Sequence, residues 1–177
     1  MCCYLYAAFS LKRGDGRWTP TQSQAVDRWR RQIVSVALEE MTHLCLVSNL
    51  MNALGATPHF NRPMFPIEAG PYPADFVIRL QPFSRSTIEH FKFLERPLEA
   101  HLSDAQGFTP SKTYSRSSSP DRLSPGARDY ATVGELYAIL RVGLDAFART
   151  CGEARLFIGE PALQVDGSLK RTTRVLR

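Results

Sequence analysis

The chain has 177 residues, of which 44% are hydrophobic and 22% charged, with a formal net charge of +5. That balance supplies enough apolar material for a single domain over 1–177 with a core of its own, and it excludes a chain disordered throughout. The positive excess is spread along the sequence except for Lys170, Arg171, Arg174 and Arg177. With no aromatics interleaved among them, these read as a solvated basic tail over 167–177, so no nucleic-acid partner is expected.

Cys2, Cys3, Cys45 and Cys151 show no C-x-x-C spacing and two of them are adjacent. This argues against a zinc site or a disulfide framework and for a reducing, cytoplasmic setting. Met1 to Leu11 is apolar, but it lacks a basic lead-in and a convincing cleavage site and is too short to span a bilayer. Neither export nor a membrane role is expected.

In chain order, the first predicted helix runs from Cys2 to Leu11, closed by the Lys12-Arg13-Gly14-Asp15-Gly16 turn and lacking an N-terminal capping residue. The second starts at Thr21 or Ser23 and ends at Leu54, with Gly55 placed to take the left-handed conformation just past it. Its length, roughly 50 Å at the usual rise per residue, is that of a bundle helix. A long proline-rich loop follows from Pro58 to Pro82, where Pro63, Pro66, Pro71 and Pro73 fix φ and remove donors, so regular helix is excluded. Phe76 to Leu80 reads as one extended piece. The third helix starts at Ser84 or Ser86, the latter at capping-box spacing from Glu89, and stops before Pro97.

Residues 103–129 are rich in Ser, Pro and Arg with few apolar anchors and read as a mobile surface loop. The fourth helix, Thr132 to about Arg149, is apolar on most sides through Val133, Leu136, Tyr137, Leu140, Leu144 and Phe147. A helix with so narrow a polar face belongs inside a bundle. Arg155 to Pro161 reads as an extended arm or short strand. The fold class is therefore mainly α.

The segment Glu39-Glu40-Met41-Thr42-His43 stands out within the second helix. At about 100° per residue, Ile33, Val36, Ala37, Glu40, His43, Leu44, Val47, Leu50, Met51 and Leu54 share one face. A carboxylate on a buried face must be paired, protonated or bound to a metal. Residues three apart on a helix can turn a carboxylate oxygen and an imidazole nitrogen toward one ion. Di-iron carboxylate bundles use this Glu-x-x-His pair on each of two helices, with a single Glu on each of the other two. The competing reading is a buried pair satisfied by neighbouring helices.

Glu135 is a further candidate, sharing a flank of the fourth helix with Ala138, Ile139 and Val142. It equally completes a capping box with Thr132. Glu39 points away from the face and is solvated or supports the pair. His59 and His101 read as solvated, and His90, with no acidic residue at ligand spacing, as structural. No H-E-x-x-H, Gly-rich phosphate loop or G-x-S-x-G elbow is present.

The run Val36-Ala37-Leu38-Glu39-Glu40-Met41-Thr42-His43-Leu44, continued by Val47 to Gly55 and Pro58, resembles the signature of the ferritin-like domain of iminophenyl-pyruvate dimer synthases. These enzymes of violacein- and rebeccamycin-type pathways couple two oxidised tryptophan units. Leu80 to Ser84 with Glu95-Arg96-Pro97, Thr132 to Tyr137, and Phe157 to Val165 are similar to later segments of that family. The resemblance implies a ferritin-like antiparallel helix bundle with Glu40, His43 and Glu135 as metal ligands.

It further implies iron or another divalent metal as cofactor. Haem, with which the related synthases are associated, stays open beside it. The family's first-helix Glu and second Glu-x-x-His have no counterpart here, so the bundle reads as incomplete, truncated at both ends. Two expectations follow: a metal-dependent oxidative enzyme of secondary metabolism with an incomplete carboxylate and histidine site, or a non-catalytic structural or assembly remnant. Helix faces left without neighbours imply a homo-oligomer or a partner subunit. The small-molecule substrate is not legible.

Overall fold

The computed structural model describes residues 1–14, 16–61, 63–68, 77–97, 99–110, 130 and 132–165. These form a mainly helical chain: α1 (Cys2–Ser10), α2 (Pro20–Ala53), α3 (Arg85–Leu94), α4 (Val133–Cys151), the single turn α5 (Glu153–Leu156) and a 3-10 turn at Pro161–Leu163. The backbone groups into two compact units, one of Met1–Leu5, Lys12–Arg62 and Phe147–Arg177, the other of Tyr6–Leu11 and Pro63–Ala146.

In the first unit, α2 begins at Pro20 because Thr19 caps it. The Thr19 hydroxyl accepts the Gln22 N–H and the Gln22 side chain accepts the Thr19 N–H, a complete capping box. The expected start at Thr21 or Ser23 therefore falls just inside the helix. At the other end Gly55 adopts φ +77°, the left-handed conformation read from the sequence, and the Ala56 N–H closes onto Met51 O. Cys3, Tyr4, Val26, Ile33 and Ala37 are this unit's buried apolar residues.

The segment beyond Gly152 is not the extended arm expected over Arg155 to Pro161. Residues 153–156 make one helical turn, and Pro161–Leu163 make a 3-10 turn. The chain between and after them lies on the C-terminal turns of α2. Gly159 N–H donates to Ala53 O, the Asn52 side chain donates to Leu163 O, and the Asn49 amide both donates to and accepts from the Val165 backbone. Short side-chain amides that substitute for a strand partner explain why an extended-looking sequence settles without a sheet.

In the second unit, α3 is capped by Ser84, whose hydroxyl accepts the Thr87 N–H, not by the Ser86 and Glu89 pair. Ser86 instead donates to Gln106 O, and Glu89 pairs with Arg85 at 3.0 Å. The expected proline-rich loop is described in part: Ile67 and Ile78 form an antiparallel bridge, while Arg62 and 69–76, including Phe76, lie outside the described residues. Of the 103–129 stretch, 111–129 lie outside them as well. Residues 103–110 are packed, with Ala105 and Phe108 buried, because His90 and Ser86 on α3 hold this stretch by hydrogen bonds.

The fourth helix runs slightly beyond its expected end, and no residue of it is buried. The bundle interior expected for it is thus not formed among the described residues. Val142 is 66% exposed. The basic tail over 167–177 lies outside the described residues.

Candidate functional site

Glu40 and His43 meet as the helix spacing requires, with His43 Nδ1 3.0 Å from Glu40 Oε1. Their side chains are 30% and 52% exposed respectively. The expected burial of this face is realised only upstream, at Ile33 and Ala37. From Glu40 onward the stripe opens: Leu44, Val47 and Leu50 are all exposed. The pair is therefore solvated and satisfied within itself, and burial does not force it to bind a metal.

Glu39 is exposed, as read from its angle on the helix. Glu135 belongs to the second unit, whereas Glu40 and His43 belong to the first. The Thr132 hydroxyl accepts the Glu135 N–H at 3.2 Å, so the capping half of the Thr132 and Glu135 motif is formed. His59 and His101 are exposed.

His90, read from the sequence as structural, is so, and its partner is one that helix spacing could not show. It is 1% exposed, its Nδ1 lies 2.7 Å from Asp104 Oδ1, and its ring stacks on Phe108 at 3.7 Å between centroids and 8° between planes. The acidic partner comes from fourteen positions downstream, across a turn, so no helix periodicity could reveal it. Asp104 Oδ1 also accepts the Ala105 N–H. His90 Nε2 and Asp104 Oδ2 are buried with no hydrogen-bond partner among the described residues.

All four cysteines are free, Cys3 being buried. Burial pushes the Cys3 thiol above its ordinary range.

A long helix with a Glu-x-x-His step and a capped fourth helix bearing a single Glu are features that carboxylate bundles also carry. The profile of the ferritin-like family matches residues 1–174, and the chain belongs to that family. Over 115 residues it is 35% identical to the 2-imino-3-(indol-3-yl)propanoate dimerase of Chromobacterium violaceum. That stretch covers 55% of this chain and 12% of the dimerase, so the chain spans only a small part of that relative. No solved structure matches.

The ferritin-like fold is generally associated with iron. In kind, the Glu40 carboxylate and His43 imidazole suit such an ion. In number they fall short: among the described residues no three His, Cys, Asp or Glu side chains gather into a group that could hold a metal. The described donors do not by themselves make a complete iron site.

Proposed function

We propose that the chain is the ferritin-like part of an oxidative enzyme of secondary metabolism related to the dimerase. Glu40, His43 and Glu135 are its contribution to a divalent-metal site, with iron the first choice and haem the alternative. The observation that carries this reading is the Glu40 and His43 pair, formed and accessible on α2 in a chain of the ferritin-like family. Iron held by carboxylate and imidazole supplies redox chemistry toward oxygen.

The protein's own groups have defined work in this reading. The contact between His43 Nδ1 and Glu40 Oε1 keeps the two side chains on one face of α2, from which a carboxylate oxygen and an imidazole nitrogen would turn to one ion. The remaining donors come from outside the described residues or from another subunit. The open stripe on α2 and the open sides of α4 provide apolar surface for that association, so a homo-oligomer or a partner subunit is part of the proposal.

By length and composition α2 could cross a membrane, with mean hydropathy 1.2 over its best window, 11% of it buried. A bundle helix that awaits its neighbours has the same composition, and we assign the protein to the soluble, cytoplasmic class on the strength of the family.

The test is iron content by mass spectrometry after anaerobic Fe(II) loading, beside a Glu40→Ala/His43→Ala double variant, with absorbance spectra to separate haem from non-haem iron. Stoichiometric iron lost in the double variant supports the reading and leads to oxygen-consumption assays. Iron absent from both overturns it. The result then favours the second reading, a non-catalytic assembly subunit, which the short donor count among the described residues supports.

A further inference from the structure

Along α2 the residues Trp29, Ile33, Val36, Glu40, His43, Val47, Leu50 and Leu54 follow one another at alternating steps of four and three. That alternation draws a single seam down a helix, the pattern by which one helix packs on another as a coiled coil. Glu40 and His43 occupy the middle of the seam, with apolar residues on both sides of them. Ile33 is buried in its own chain, and Val36 and Leu54 are half-buried. Trp29, Val47 and Leu50 are exposed, and the Glu40 and His43 side chains are 30% and 52% exposed. Over its downstream part the seam therefore has no partner helix among the described residues.

The seam is symmetric about the midpoint between Glu40 and His43. When a second copy is turned end for end about that midpoint, Val36 meets the second copy's Val47, Ile33 its Leu50 and Trp29 its Leu54. Glu40 then meets the second copy's His43, and His43 its Glu40. A parallel pairing in register would instead set Glu40 against Glu40, where like charges repel. Both arrangements close with two-fold symmetry, and charge selects the antiparallel one.

The pairing also changes the number of metal donors. One chain offers a single Glu-x-x-His, whereas carboxylate bundles use two, and no three donors gather among the described residues of one chain. We infer that a second copy of this chain supplies the missing pair. Across this seam α2 packs antiparallel on α2, and two carboxylates and two imidazoles meet at the two-fold axis as a divalent-cation site. The apolar layers on either side limit the access of water to those donors. This inference rests on the reading of Glu40 and His43 as metal donors, and it adds the partner, the register and the composition of the site.

Two measurements on the full chain test it. In the first, Val36→Cys and Val47→Cys variants that keep their helical circular dichroism are mixed, treated with oxidised glutathione and mapped by peptide mass spectrometry. Linkage of position 36 to position 47 should exceed 36-to-36 and 47-to-47 linkage by about tenfold or more, because only facing layers bring two Cβ atoms within disulfide reach. Dominant 36-to-36 linkage, or no linkage through either position, overturns the proposal.

In the second, the parent chain is loaded anaerobically with Fe(II) and weighed by native mass spectrometry. Iron should be carried by the dimer and not by the monomer, and Fe(II) should lower the dimer dissociation constant in sedimentation velocity by roughly tenfold or more. A Glu40→Ala/His43→Ala chain should lose both responses; iron retained by its dimer overturns the shared site. Iron on the parent monomer also overturns the shared site and leaves the metal reading standing. Iron on neither species removes the metal reading and this site with it, whichever linkage the first measurement finds.

Discussion

At 1% exposure the His90 imidazole must satisfy its polar atoms inside the protein, and Asp104 at 2.7 Å meets that need for Nδ1. The contact also anchors residues 103–110 to α3, since Phe108 stacks on the ring and Ser86 holds Gln106 O. His90→Ala should cost about 2–4 kcal/mol in urea unfolding, from the cavity and from a largely buried carboxylate left with fewer partners. Asp104→Asn keeps the volume and should cost roughly half as much. Losses under about 0.5 kcal/mol in both variants would show that the contact does not anchor this stretch.

Cys3 makes a second residue-scale prediction, through pH. Its thiol is held protonated in the folded chain above the ordinary value of 9.0, so on raising pH the unfolded chain releases this proton first. Folding stability contributed by the buried thiol is then present below that value and declines as pH rises through it, until the folded thiol ionises too. A Cys3→Ala variant should show a flatter stability profile across this range than the parent. A thiol reagent at neutral pH should modify exposed Cys2 well before Cys3; equal rates would contradict the burial.

At the scale of elements, the sequence was most legible where a local rule acts alone. Gly55 could be read as the residue past a helix end because only backbone conformation decides it, and Glu40 and His43 could be paired because helix spacing decides it. Of the two starts read for α3, Ser84 or Ser86, the structure takes Ser84 as the cap, and Ser86 bonds the distant Gln106 carbonyl, a contact invisible in sequence. The segment around α5 was misread because its partners are equally distant. Its hydrogen bonds go to Asn49, Asn52 and Ala53, more than a hundred positions earlier.

That segment depends on Gly159, where a Cβ would land on the Asn52 carbonyl oxygen of α2. Gly159→Ala should therefore cost about 2 kcal/mol or more. It should also raise amide hydrogen exchange selectively over 157–165, with α2 upstream of residue 45 unchanged. Unaltered exchange would mean that the segment does not rest on the α2 C-terminus as described. Asn49→Ala, which removes two hydrogen bonds to Val165, should give a smaller effect in the same region.

At the scale of the whole molecule, the chain carries more helical apolar surface than its described residues cover. On α2 the face that packs at Ile33 and Ala37 opens downstream at Leu44, Val47 and Leu50, and α4 has no buried residue. Exposed apolar stripes of this kind are uncommon on monomeric soluble proteins and mark surfaces for association. The periodicity of both helices was readable because it depends on residue type and spacing alone. Whether a face is covered depends on neighbours that spacing does not specify.

Sedimentation velocity should accordingly find the purified chain associated at micromolar concentration without detergent. A Leu44→Glu/Val47→Glu variant should shift it toward the monomer, since the two charges repel across any symmetric contact and must be desolvated. Helicity retained with association lost would locate the interface on this stripe. A parent chain that is monomeric, or a variant that associates as strongly, would place the α2 face in water and leave the missing metal donors to be sought within a single chain.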